Sequence, residues 1–137
     1  LISSKDNGAY SFFLGTVRKE IKEFNEEIDS IFLECYKELA IQQLSLIREQ
    51  SMKKWNLNEC LIIHRIGKLL LGEKIVLIIT GSSHRSEAIN ACEFIIDNLK
   101  VNVAMWKFNI NRDQEVPVKF KEKDLDKFLK WSEVIKT

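Results

Sequence analysis

The sequence predicts an α+β fold, and three observations predict it. Apolar residues alternate over several short stretches, as they do in half-buried strands. Two longer stretches repeat every three to four residues, as helices do. The strands fall in neighbouring pairs separated by helices, without the regular strand–helix alternation of a doubly wound sheet. The expected order is β-β-α-β-β-α-β-β-α, a mixed or largely antiparallel sheet with two main helices and a short C-terminal one.

Each element has its own signal. Residues 9–17 (AYSFFLGTV) are rich in aromatic and β-branched side chains and read as a strand. The charged stretch 18–27 reads as a loop or a hairpin arm. In 28–36, Ile31, Leu33 and Cys35 share one face of a second strand. Over 37–55 the period changes, and Ala40, Leu44 and Ile47 mark an amphipathic helix. Strands resume at 60–66 and 74–80, with Gly67 and Gly72 bounding a turn over 68–71. The run 74–80 is apolar on both faces and is expected at the centre of the sheet. Gly81 and Ser82 end it, and Ser83 is placed to cap the next helix. There Ala88, Cys92, Ile95 and Leu99 form a buried stripe. A strand follows at 104–110, then a short one at 116–120 whose Pro117 places it at an edge. Leu125, Phe128, Leu129 and Ile135 give the last helix.

The bulk numbers set bounds. With 137 residues, 45% of them hydrophobic and 30% charged, the chain reads as one globular domain over 1–137. At that size it buries about two-thirds of its unfolded surface without needing a disulfide or metal. A net charge of +1 provides no global basic field for nucleic acid. Apolar runs are short and broken by charge, which excludes a membrane span, and 1–10 lacks the layout of a signal peptide. Cys35, Cys60 and Cys92 include no close pair, so they read as buried hydrophobes in a reducing, cytoplasmic setting. His64 and His84 are the only histidines, and no acidic cluster has ligand spacing, so no metal site is expected.

The chemistry gathers in 80–107. A buried strand feeds a helix through Ser82, Ser83, His84, Arg85 and Ser86. A helix start offers unpaired N–H groups and the positive dipole end. The stretch reads either as a phosphate or carboxylate site or as a plain capped helix with a solvated Arg. Lys100 near the helix end is either a dipole partner or a functional group. Lys107 alternates with the apolar face of its strand and points to a groove or to solvent. His64, among Cys60, Ile62 and Ile66, reads as a core histidine or a ligand.

These residues also carry a resemblance. Gly15-Thr16-Val17-Arg18, Ile63-His64-Arg65-Ile66-Gly67, Ser83-His84-Arg85-Ser86 and Leu99-Lys100 followed by Trp106-Lys107 resemble, in order and spacing, the large catalytic subunit of molybdopterin synthase. The chain departs from that pattern at Ala104, where the family has Pro, and at Phe108 and Asn109, where it has a basic residue and Glu. The acidic run 21–27 replaces a glycine-containing hairpin.

The resemblance implies an α/β-hammerhead fold and a sulfurtransferase that converts cyclic pyranopterin monophosphate to molybdopterin. The sulfur comes from the thiocarboxylated Gly-Gly tail of a small ubiquitin-like carrier subunit, so no further cofactor is implied. It implies a homodimer, and with the carrier a heterotetramer. It implies Lys100 and Lys107 as catalytic lysines and Arg18, His84 and Arg85 as the substrate-binding set, with Arg18 reaching the partner protomer's site. A carrier-binding module without turnover is the alternative. A small RNA- or anion-binding protein is a third reading, disfavoured by the near-zero net charge.

Overall fold

A computed structural model describes residues 5–19, 29–111, 114–118 and 122–131. Ten elements run along the chain: β1 (Ala9–Thr16), β2 (Ser30–Cys35), α1 (Lys37–Lys54), β3 (Glu59–His64), β4 (Gly67–Leu70), β5 (Lys74–Ser82), α2 (Arg85–Asn102), β6 (Met105–Asn111), β7 (Gln114–Pro117) and α3 (Glu122–Leu129). The fold is α+β, and its strands divide between two sheets, ordered β1-β5-β3 and β4-β2-β6-β7. Every pairing is antiparallel. The expected arm over 20–27, as well as Ile28, Lys119, Phe120 and Ile135, lies outside the described residues.

β5 is central in the first sheet, as its apolar run predicts. One face of that sheet meets α1 and α2. Alternation along β1 turns Phe13 into the core and leaves Phe12 and Leu14 exposed on the other side. Cross-strand register puts Phe12 beside Ile79, Leu14 beside Leu77 and Ile63 beside Leu77. The outer face of this sheet is therefore apolar.

The main core is built around Phe94, which is fully buried on α2, with Ala91, Cys92 and Ile95 from the same helix, Ile47 from α1 and Ile78 from β5. Its rings stack at angles: Trp55 and Trp131 lie with centroids 5.1 and 5.8 Å from Phe94. Two hydroxyls that enter it are paired. Thr80 Oγ1 donates to the Ala88 carbonyl at 2.6 Å, and Ser51 Oγ to the Ile47 carbonyl at 2.7 Å. The three cysteines are free thiols. Burial pushes the Cys60 thiol up to about 11.

Three expectations are revised. The 68–71 turn is instead mostly strand: β4 pairs with β2 and buries Leu69 completely. Its bounding glycines do turn, at φ 88° for Gly67 and 82° for Gly72, but four residues between them suffice for a ladder whose partner is distant in sequence. Ser83 does not cap α2. His84 holds the N-cap position without a side-chain cap bond, while Ser83 Oγ donates to the Asp6 carbonyl at 3.1 Å. The last helix stops at Leu129 and buries none of its residues completely; Trp131, just beyond it, packs against the core.

The second sheet meets the first through a smaller cluster of Val17, Ile31, Leu33 and Leu69, with Ile75 against it. Among the described residues β7 pairs with β6 alone, so the strand carrying Pro117 is an edge as expected. None of the helices among the described residues is long and apolar enough to cross a membrane.

Candidate functional site

The small cluster between the sheets floors a pocket of about 350 Å³. Val17, Ile31 and Ile75 form its apolar base. Above them stand Arg18, Lys100, Lys107, Lys123 and Lys127, with Asp124 as the one carboxylate among the lining residues. A concave surface with five cationic side chains against one carboxylate concentrates anions.

Each side chain is positioned by its element. Val17 is fixed by two backbone bonds, its N–H to the Glu73 carbonyl at 2.8 Å and its carbonyl from the Gly72 N–H at 2.7 Å. Arg18 follows it directly into the pocket. Lys107 lies opposite Leu33 in the β2–β6 ladder, and its carbonyl accepts the Val118 N–H at 2.8 Å. The start of that strand is tied to α1, because the Ala104 N–H donates to Gln43 Oε1 at 2.8 Å. A proline at 104 could not make this bond. Lys100 occupies the last turn of α2, where the helix dipole favours a cation.

α3 closes one side and is clamped to α2 at both ends. Lys100 Nζ lies 3.5 Å from Asp124 Oδ1. At the other end the Trp131 indole donates to Asp97 Oδ2 at 2.8 Å, and Lys130 Nζ donates to Glu93 Oε1 at 2.7 Å. The Glu93 contact holds the Lys130 pKa above its ordinary value.

Of the sequence-predicted residues, the structure brings together Arg18, Lys100 and Lys107 within one chain. It does not bring His84 and Arg85 to them. Both are exposed at the start of α2. At 1.5 Å per residue, the helix sets His84 about 24 Å from Lys100. Arg18 therefore shares its own chain's pocket with the two lysines. His64 is half-buried, with Nδ1 2.8 Å from the Arg65 carbonyl, and burial lowers its pKa. Among the described residues no group of His, Cys, Asp and Glu could hold a metal.

Sequence reasoning missed Asn109, Lys123, Asp124 and Lys127. Asn109 has a signal in hindsight, since it lies two residues from Lys107 and so on the same strand face. The α3 residues have only the polar spacing of Lys123 and Lys127 on a helix whose docking site is distant in sequence.

Comparison with known proteins bears on the family and the fold. Residues 1–102 match the family described as MoaE protein. The molybdopterin synthase catalytic subunit of Pyrococcus abyssi is 36% identical over 127 residues, covering 87% of this chain and 84% of that protein. That of Haemophilus ducreyi is 34% identical over 124 residues, covering 90% and 81%. The crystal structure of molybdopterin synthase from Staphylococcus aureus superposes with a TM-score of 0.79 at 31% identity, over 85% of this chain and 84% of that one. The complex of subunits 1 and 2 of molybdopterin-converting factor from Helicobacter pylori shares the fold at 24% identity, with a TM-score of 0.70 over 84% and 74% of the chains.

The fold and its relatives define an enzyme subunit of molybdenum cofactor biosynthesis. The chain belongs to the MoaE protein family, and its role is that of the catalytic subunit of molybdopterin synthase.

Proposed function

We propose that the pocket converts cyclic pyranopterin monophosphate to molybdopterin, with sulfur drawn from the thiocarboxylated Gly-Gly tail of a small ubiquitin-like carrier. The observation that carries this is the convergence of Arg18, Lys100 and Lys107 on one pocket. Both proposed reactants, a phosphate ester and a thiocarboxylate, are anions. Lys100 polarises the thiocarboxylate or takes a proton as sulfur attacks. Lys107 and Arg18 hold the phosphate and stabilise the charge that develops as its ring opens. The sulfur comes with the carrier, so the reading needs no further cofactor, and a cytoplasmic setting keeps the free thiols reduced.

The working assembly in this reading is a homodimer with one carrier per protomer, a heterotetramer. The exposed apolar face of Phe12, Leu14 and Ile63 supports a second copy of the chain as partner. His84 and Arg85, too far from Lys100 in their own chain, serve the neighbour's pocket across the two-fold axis.

The test is a synthase assay with thiocarboxylated carrier and precursor. Lys100→Ala should abolish product while the carrier still binds. Normal product from that variant would overturn the role given to Lys100. Carrier binding without sulfur transfer by the unsubstituted chain would favour a non-catalytic module.

A further inference from the structure

Asn109 is 3% exposed, lines the pocket, and carries an amide oxygen with no hydrogen-bond partner among the described residues. Buried polar atoms are almost always paired, and an unpaired one calls for an explanation. β6 supplies the direction. Asn109 and Lys107 stand two residues apart on one strand face, and both line the pocket. Asn109 lies opposite Ile31 in the ladder, and Ile31 belongs to the apolar floor. Asn109 therefore stands on the pocket wall beside the apolar floor of Val17, Ile31 and Ile75, with its amide oxygen buried and unpaired.

The pocket thus has two chemistries. The five cationic side chains recognise an anion. Beside them the lining offers the apolar surface of Val17, Ile31 and Ile75, the Thr16 hydroxyl and the Asn109 amide, which together suit a heterocycle that carries an N–H. We propose that Asn109 is a specificity-determining residue whose side-chain oxygen accepts a hydrogen bond from an N–H of the substrate's ring. This rests on the reading of the pocket as a pterin phosphate site and adds the group that reads the ring rather than the phosphate. An acceptor held in place but unpaired in the free protein discriminates strongly, because a ligand without the donor leaves it buried and unsatisfied.

Calorimetric titration of the full chain with two probes tests this. One is a pterin with a phosphate on its side chain; the other is phenyl phosphate, which has the anion and a flat ring but no N–H. The unsubstituted chain should prefer the pterin phosphate. Asn109→Leu should lower that preference about tenfold or more and leave phenyl phosphate binding within about twofold. The same variant should melt no lower than the unsubstituted chain, because it removes an unpaired polar group rather than a bond; a merely structural Asn109 would lower the melting temperature. If Asn109→Leu does not fold, Asn109→Asp decides. It keeps the acceptor, so it should weaken both phosphates alike and retain the preference.

Retained preference in Asn109→Leu, or lost preference in Asn109→Asp, overturns the role of Asn109 and leaves the pocket reading intact. Pterin phosphate bound no tighter than phenyl phosphate by the unsubstituted chain overturns it too. Failure of the unsubstituted chain to bind pterin phosphate at all overturns the pocket reading itself.

Discussion

The ammonium of Lys100 and the carboxylate of Asp124 lie 3.5 Å apart where the end of α2 meets the start of α3. Asp124 is nearly buried, at 14% side-chain exposure, whereas Lys100 is half exposed at 51%. Its Oδ1 accepts no hydrogen bond among the described residues, so the contact is an ion pair alone. An anion entering the pocket competes with Asp124 for Lys100.

Asp124→Asn should therefore tighten binding of inorganic phosphate. A half-exposed pair contributes up to about 1 kcal/mol, so the gain is a few-fold at low salt and shrinks as salt screens it. Phosphate titration at two ionic strengths checks this, and weaker binding in the variant would reject the competition.

Arg18→Ala should weaken substrate binding by about 1.5–3 kcal/mol, the loss expected for hydrogen bonds to a charged group. Arg18 is exposed, so its thermal unfolding should stay close to that of the unsubstituted chain. A raised KM with an unchanged melting temperature is the expected pair of results. An unchanged KM would remove Arg18 from the site.

The predicted strands and helices were legible because their periods are local. Phe12, Phe13 and Leu14 show their two faces in the sequence itself. β4 was hidden because Gly67 and Gly72 dominate a window of four residues, while the β2 ladder that makes it a strand begins far upstream at Ser30. The lysines of the site could be read from their neighbours, but their distances could not. His84 and Lys100 lie close in the sequence pattern and at opposite ends of a rigid helix. The wall supplied by α3 was illegible because it depends on Trp131 reaching Asp97, a contact that no local pattern announces.

Trp131→Phe should keep the ring packing on Phe94 and Trp55 and lose the 2.8 Å bond to Asp97. Asp97 is buried, and Lys130 Nζ lies 3.5 Å from its Oδ2. The expected loss is about 1–3 kcal/mol, read by urea unfolding. Loss of stability with unchanged phosphate binding would show that α3 holds its place without this bond.

His64 predicts a pH dependence. Burial lowers its folded pKa below the ordinary 6.5, so the folded chain holds the neutral ring more firmly than the unfolded chain does. Stability from this source is complete above about pH 6.5 and falls as the pH drops through 6.5 toward the folded value. The melting temperature should decline between pH 7 and 5, and His64→Gln should flatten that slope. An equal slope in the variant would assign the decline to other groups.

The length of α2 has a consequence for mixed assemblies. If His84 and Arg85 serve the neighbouring protomer's pocket, a pocket draws Lys100 from one chain and His84 from the other. A His84→Ala protomer paired with a Lys100→Ala protomer then collects both lesions in one pocket and leaves the other pocket whole. Two inactive populations, dissociated and reassembled together, would regain turnover by intragenic complementation, whereas a pocket built from a single chain would give none.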